Sequence, residues 1–212
     1  MACGKRGKSL RANRSGCGGG HSREGLTTYA AVVRDYLKTC RSSAREQLDF
    51  YASRPSLAKA VELAALAKDD RGKRCSHQRR IPASALSESY ARLRRLRLNR
   101  YRSFEQLIEA ISRAVSDIPR IGPLTIYDTA LRIGAYLELE PKEVHLHTGT
   151  RDGARALGLG RDSSVLRVSD LPPAFRTLSP GEIEDCLCIY KDELRQIARG
   201  ERRRVTLKRR CR

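Results

Sequence analysis

Residues 103–138 read SFEQLIEAISRAVSDIPRIGPLTIYDTALRIGAYLE, and the rest of the chain is organised around them. Phe104, Leu107, Ile108, Ile111, Val115 and Ile118 recur at three- and four-residue steps, the apolar stripe of an amphipathic helix. Ser103 and Gln106 have the spacing of a capping box at its start. Pro119 sets its end, because the residue before a proline disfavours helical backbone. A second helix is expected from Pro123, which suits a first helical turn, with Leu124, Tyr127, Ala130, Leu131, Gly134 and Leu137 as its stripe and Pro141 as its stop.

Outward from this pair, further helices are expected. Tyr29, Val32, Val33, Tyr36 and Leu37 mark one, and Leu48, Phe50 and Tyr51 a short second. Leu57, Ala60, Val61, Leu63, Ala64 and Leu66 mark a third. Residues 84–101 read as another, mixing leucines with Arg92, Arg94, Arg95 and Arg97. Those arginines form either a basic face or long stems that cover a core edge. Thr150 is a candidate cap for a short helix closed by Gly158. Ser179-Pro180-Gly181-Glu182 is a strong helix start, and Gly200 is the expected end of that last helix. No stretch alternates with period two, so the fold class is all-α, a compact domain of about seven or eight helices. It occupies residues 26–198, between disordered basic tails at 1–25 and 199–212.

The 212 residues carry a formal net charge of +19. The two tails hold +5 and +7 of it, which leaves the body basic at +7. A polyanionic partner is the natural inference. The loop 71–83, RGKRCSHQRRIPA, places Lys73, Arg74, Arg79 and Arg80 in a stretch without acidic residues. It is either a phosphate-contacting loop near the central helix pair or a solvated connector. Seven irregularly spaced cysteines fit a reducing cytoplasm better than a disulfide framework. No apolar run is long enough to span a membrane. Cys75 and His77 lack a matching second pair, Cys186 and Cys188 diverge on a helix, and His145 and His147 read as structural residues at a helix-to-turn junction. No metal or other cofactor is therefore expected.

The connector Ile118-Pro119-Arg120-Ile121-Gly122-Pro123-Leu124-Thr125-Ile126 resembles the helix-hairpin-helix motif of DNA-binding proteins. That motif typically runs Leu-Pro-Gly-hydrophobic-Gly-Pro-x-Thr-Ala. Ile118, Pro119, Ile121, Gly122, Pro123 and Thr125 match; Arg120 replaces the first glycine and Ile126 the alanine. The resemblance covers about 35 residues and implies sequence-independent binding of a phosphate by backbone amides at a helix N-terminus. The residues so implied are Arg120, Ile121, Gly122, Leu124 and Thr125, with Ile121 plugging the space between the helices. DNA is the expected partner ahead of RNA. The alternative is a tight αα-turn that merely connects two core helices.

The hairpin looks most like that of the base-excision DNA repair glycosylases, which implies an enzymatic alternative. The lysine nucleophile of the bifunctional members falls on Leu124 here, and leucine forms no Schiff base. The region of their essential aspartate reads Val144-His145-Leu146-His147, with Asp152 further on. A non-enzymatic DNA-binding protein is the leading expectation, a glycosylase-like enzyme the second, and a helical protein-interaction adaptor the third.

Overall fold

A computed structural model describes residues 25–210 of the chain, with side chains as far as Gly200. The expected disorder of residues 1–25 therefore lies outside the described residues, Gly25 excepted. The described part is all-α. Its helices are α1 (Tyr29–Thr39), α2 (Arg41–Ala52), α3 (Leu57–Ala65), α4 (Ala83–Leu93), α5 (Phe104–Val115), α6 (Pro123–Leu137), α7 (Thr148–Ala156), α8 (Pro180–Ile189) and α9 (Lys191–Arg210). The sheet among the described residues is one antiparallel pair of two-residue strands, β1 (Val144–His145) and β2 (Val165–Leu166), with Val144 opposite Leu166. No helix among the described residues is long and apolar enough to cross a membrane.

Several helix ends follow directly from side-chain caps. Thr28, Ser56, Ser103 and Ser179 each accept a hydrogen bond from a backbone N–H in the first turn of α1, α3, α5 and α8. Ser179 and Glu182 complete a reciprocal box at α8. The box expected at α5 is half made, since Gln106 Oε1 accepts from the Arg102 N–H and not from Ser103. Gly158 takes the left-handed conformation after α7, at φ +81°.

The structure corrects five expected boundaries. Residues 84–101 are not one helix: α4 stops at Leu93, and Leu98–Arg100 form a separate 3₁₀ turn. Arg92 causes part of this. Its guanidinium bonds the Ala114 carbonyl at 3.1 Å and the Asp117 carboxylate at 2.6 Å, which ties the end of α4 to the end of α5. Helix α6 closes before Pro141, at Glu138, which takes the left-handed conformation at φ 56° and donates its N–H to the Gly134 carbonyl. Thr150 is not a cap but lies inside α7, while His147 holds the N-cap position. The last expected helix is two, because Tyr190 leaves helical geometry between α8 and α9. Gly200 does not stop α9, whose backbone continues to Arg210.

The buried apolar side chains form two clusters. The first is built by α2 to α6 and includes Tyr51, Val61, Leu86, Leu93, Phe104, Leu107, Ile111 and Ile133. The second is built by α1, β1, α7, β2, α8 and α9 and includes Val32, Tyr36, Val144, Phe175, Ile183, Leu187, Tyr190 and Leu194. The N-terminal helix thus belongs with the C-terminal half of the chain.

In the second cluster α7 meets α8 closely because Gly153 has no side chain. A Cβ there would lie 2.1 Å from the Leu187 carbonyl oxygen, and this is backbone that cannot swing away. We expect Gly153→Ala to force the two helices apart and lower stability by about 3 kcal/mol in urea denaturation. A loss below about 0.5 kcal/mol, the level of a neutral surface change, would show that the contact is looser than described.

Candidate nucleic-acid interface

The hairpin between α5 and α6 is set by the core beneath it. Ile118 and Ile121 are both buried in the first cluster with Val115 and Ile126, so the connector is pinned from inside. Ile118 donates its N–H to Val115 and Ile121 donates to Ile118, which winds the end of α5 into two tight turns. Ile121 is therefore a plug, as its position in the motif implied, and is 6% exposed.

Reversing the chain in so few residues requires a left-handed backbone position. Arg120 supplies it, at φ 74°. This is the position where the motif usually has glycine. Gly122 instead is extended, at φ −105° and ψ 177°, a conformation open to any residue. The backbone constraint of the turn therefore lies on Arg120, two residues before Gly122.

Gly122 has a different use. It is the N-cap of α6, and no side chain caps that helix. A Cβ built on Gly122 would meet nothing within 4 Å, so the space before the helix is open. Pro123 at the first helical position has no N–H to offer. The first-turn amides of Leu124 and Thr125 face the usual shortage of intrahelical acceptors, at the positive end of the helix dipole. Thr125 contributes backbone only, because its side chain is buried and its carbonyl accepts from the Thr129 hydroxyl at 2.7 Å. Arg120 is exposed and Leu124 half-exposed. The arrangement can hold an anion by backbone amides with one guanidinium beside it.

The basic loop docks on the same helix. Gln78, fully buried, donates to the Asp128 carboxylate and accepts from Arg132 at 3.1 Å. Arg132 also pairs with Asp128 at 3.5 Å, one turn along α6. His77 lies 3.8 Å from the same carboxylate. Asp128 stands six residues past Gly122, a rise of about 9 Å along a helix. Exposed Lys73, Arg79 and Arg80 are carried on the loop so anchored. Arg74 is not among the free cations: it is half-buried and donates to the Ile81 carbonyl at 2.8 Å, stapling the loop. This corrects its assignment as a phosphate contact.

Sequence reasoning passed over Gln78, Asp128 and Arg132. The available signal was the opposite-charge pair Asp128 and Arg132, spaced i, i+4 on an otherwise apolar helix, which favours a satisfied polar contact there. Arg94 and Arg95 also belong to this end of the molecule. Both are exposed and follow Arg92, which is anchored on Asp117 just before the hairpin.

His145 and His147 are not at a helix-to-turn junction. They flank Leu146 in extended backbone entering α7, and both rings pack on Tyr127 of α6 with centroids 5.2 Å away. His147 is buried 2.8 Å from Glu184, which accepts a hydrogen bond from Thr150 at 2.5 Å. Asp152 is partly exposed on α7 and faces Arg155 at 4.0 Å. Cys75 lies 3.7 Å from the Tyr51 hydroxyl while His77 faces Asp128, so the two share no ligand position. No metal-ligating cluster occurs among the described residues.

No family model matches the chain, and neither does any curated protein or solved structure.

Two predictions follow from this geometry. The nearby Asp128 carboxylate raises the His77 pKa above its ordinary value, against the opposing effect of burial. A raised histidine stabilises fully below its unfolded value near 6.5 and loses that contribution as pH rises through the folded value. The docking of loop 71–83 on α6 should therefore loosen above neutrality. An NMR titration should place His77 above about 6.5, and Asp128→Asn should bring it down; a His77 that titrates below that value would refute the pairing. The second concerns Arg120. Replacing it with glycine relieves left-handed strain of about 1–2 kcal/mol, partly offset by the greater freedom of glycine in the unfolded chain. Arg120→Gly should raise the urea midpoint slightly, whereas Arg120→Ala should not.

Proposed function

We propose that the protein binds DNA without reading its sequence, gripping the sugar–phosphate backbone with the α5–α6 hairpin. The observation that carries this reading is the uncapped start of α6, with open space before Gly122 and the exposed Arg120 beside it. A phosphate oxygen there would accept from the Leu124 and Thr125 amides and be neutralised by Arg120. Lys73, Arg79 and Arg80 on the docked loop supply further cations, and the net charge of +19 supplies long-range attraction. Contacts of this kind hold the backbone and leave the bases unread. The hairpin's likeness to the helix-hairpin-helix motif supports the same reading. A cytoplasmic setting accords with the thiols of Cys75 and Cys188.

A glycosylase-like enzyme finds weaker support. Leu124 stands at the position of that family's lysine, and Glu184 is buried and already engaged by Thr150. A protein-interaction adaptor would not need the open, uncapped helix start.

The test is a salt titration of duplex DNA binding by the full chain. The parent should lose affinity steeply as salt rises, with a log–log slope of about 0.9 per phosphate contact. Arg120→Ala should flatten that slope by up to about one unit. Gly122→Val changes no charge and meets no strained φ, yet places two methyl groups where the phosphate would sit. It should lose more affinity than Arg120→Ala, about tenfold or more, the scale of one charge-assisted hydrogen bond. A folded Gly122→Val protein that binds like the parent, while loss of Arg79 and Arg80 abolishes binding, would make the hairpin a connector.

A further inference from the structure

A second feature lies at the other end of α5. Arg100, Tyr101, Gln106, Glu109 and Arg113 line an open cleft of about 350 Å³. Tyr101 is partly buried and packs against the first apolar cluster. The Arg100 guanidinium sits over that ring, 5.0 Å from its centroid, and donates to the Tyr101 hydroxyl at 3.0 Å. The arginine is thereby held on a platform that is itself fixed by the core. Gln106 uses its side-chain oxygen on the Arg102 N–H, which leaves its amide nitrogen as a donor. Glu109 lies 3.9 Å from Arg113.

The mixture of groups selects among ligands. Two guanidiniums attract an anion, but the carboxylate of Glu109 opposes a bare phosphate seated among them. A nucleotide satisfies both. Its base has a π-face for the tyrosine and guanidinium, and edge groups that accept from an amide and donate to a carboxylate; its phosphate suits an arginine. A base inside a duplex has no free face, so the occupant must be unpaired. The cleft runs along α5 as far as Arg113, but its Arg100–Tyr101 end and the hairpin lie at opposite ends of this 12-residue helix, about 18 Å apart at 1.5 Å per residue. That is roughly five duplex steps of 3.4 Å.

We propose that the Arg100–Tyr101 cleft binds an unpaired base of the DNA strand whose backbone the hairpin holds, so that the protein favours duplex with a single-stranded extension over blunt duplex. The inference rests on the nucleic-acid reading above and adds the form of DNA to it.

The full chain is titrated at low salt by fluorescence anisotropy against three DNAs: a blunt duplex, the same duplex with a base-bearing single-stranded extension of about five to ten nucleotides, and one whose extension is abasic. The abasic extension keeps the phosphates and removes the bases. The parent should bind the base-bearing extension about fivefold or more tightly than the abasic one, the scale of one stacked base. Tyr101→Leu keeps an apolar packing group and removes the π-face; Arg100→Gln changes an exposed residue and leaves the core alone. Each should erase that preference, whereas Gly122→Val should keep it and bind all three DNAs more weakly alike. If Tyr101→Leu fails to fold, Arg100→Gln carries the test. Equal parental affinity for base-bearing and abasic extensions overturns the cleft while the hairpin reading stands. No parental binding to any of the three overturns both.

Discussion

The packing of Tyr127 is the constraint on which the rest depends. Its ring is 2% exposed and meets Phe104 edge-on at 5.9 Å. It also meets His145 and His147, each at 5.2 Å, and His145 in turn touches Phe104 at 5.6 Å. It stands on α6, the helix that also receives the basic loop through Asp128 and Arg132 and that presents its first turn at the hairpin. One aromatic side chain thus fixes the helix between two apolar clusters. Burial pushes its phenol well above the usual range and its hydroxyl has no hydrogen-bond partner, so the residue acts here as a large apolar body with an unused polar tip.

Around this ring the boundary between the clusters is polar. Arg41 pairs with Glu182 at 2.7 Å and Arg45 with the same carboxylate at 3.2 Å, joining the start of α2 to the start of α8. Glu105 at the start of α5 accepts from the Lys142 N–H. Carboxylates in this region meet opposite fates. Burial, with the neighbouring Glu184 charge, pushes Asp185 up to about 8, and Tyr36 donates to it at 3.3 Å. Burial would also raise Asp128, but the nearby His77, the Arg132 charge and the Gln78 hydrogen bond outweigh it and hold that carboxyl below its ordinary value. The difference is the presence of cations: Asp128 has two basic partners at hand, and a carboxylate that gains opposite charge stays ionised where an unpartnered one takes up a proton.

The helices were legible because amphipathic stripes and caps are local. The runs at 29–37, 57–66 and 104–118 and the Ser179 cap all translate into elements. What escaped was set by tertiary contact. Arg92 ends α4 by reaching across to α5, and no window of sequence contains both partners. Arg120 reads as an added cation in the motif, while its left-handed backbone comes from the two buried isoleucines on either side. Arg74 looks identical to Arg79 and Arg80 in the sequence, yet the carbonyl of Ile81 claims it. The histidines of 144–147 alternate as strand residues do, but what decides their side is a tyrosine about twenty residues earlier on another element. Which residue of the connector bears the backbone constraint was not legible.

The membership of α1 in the second cluster sets an order of assembly. Val32, Val33 and Tyr36 are among the first core residues to leave the ribosome, and Ile183, Leu187, Tyr190 and Leu194, against which that cluster closes, are among the last. The first cluster, by contrast, draws on residues from Phe50 to Leu139 and can close soon after α6 is complete. During synthesis α1 therefore waits, its apolar face uncovered, while the segment behind it folds. Non-local closure of this kind is slow and leaves sticky surface open meanwhile. Arg34, Asp35 and Lys38 give that waiting helix a charged face beside its apolar one.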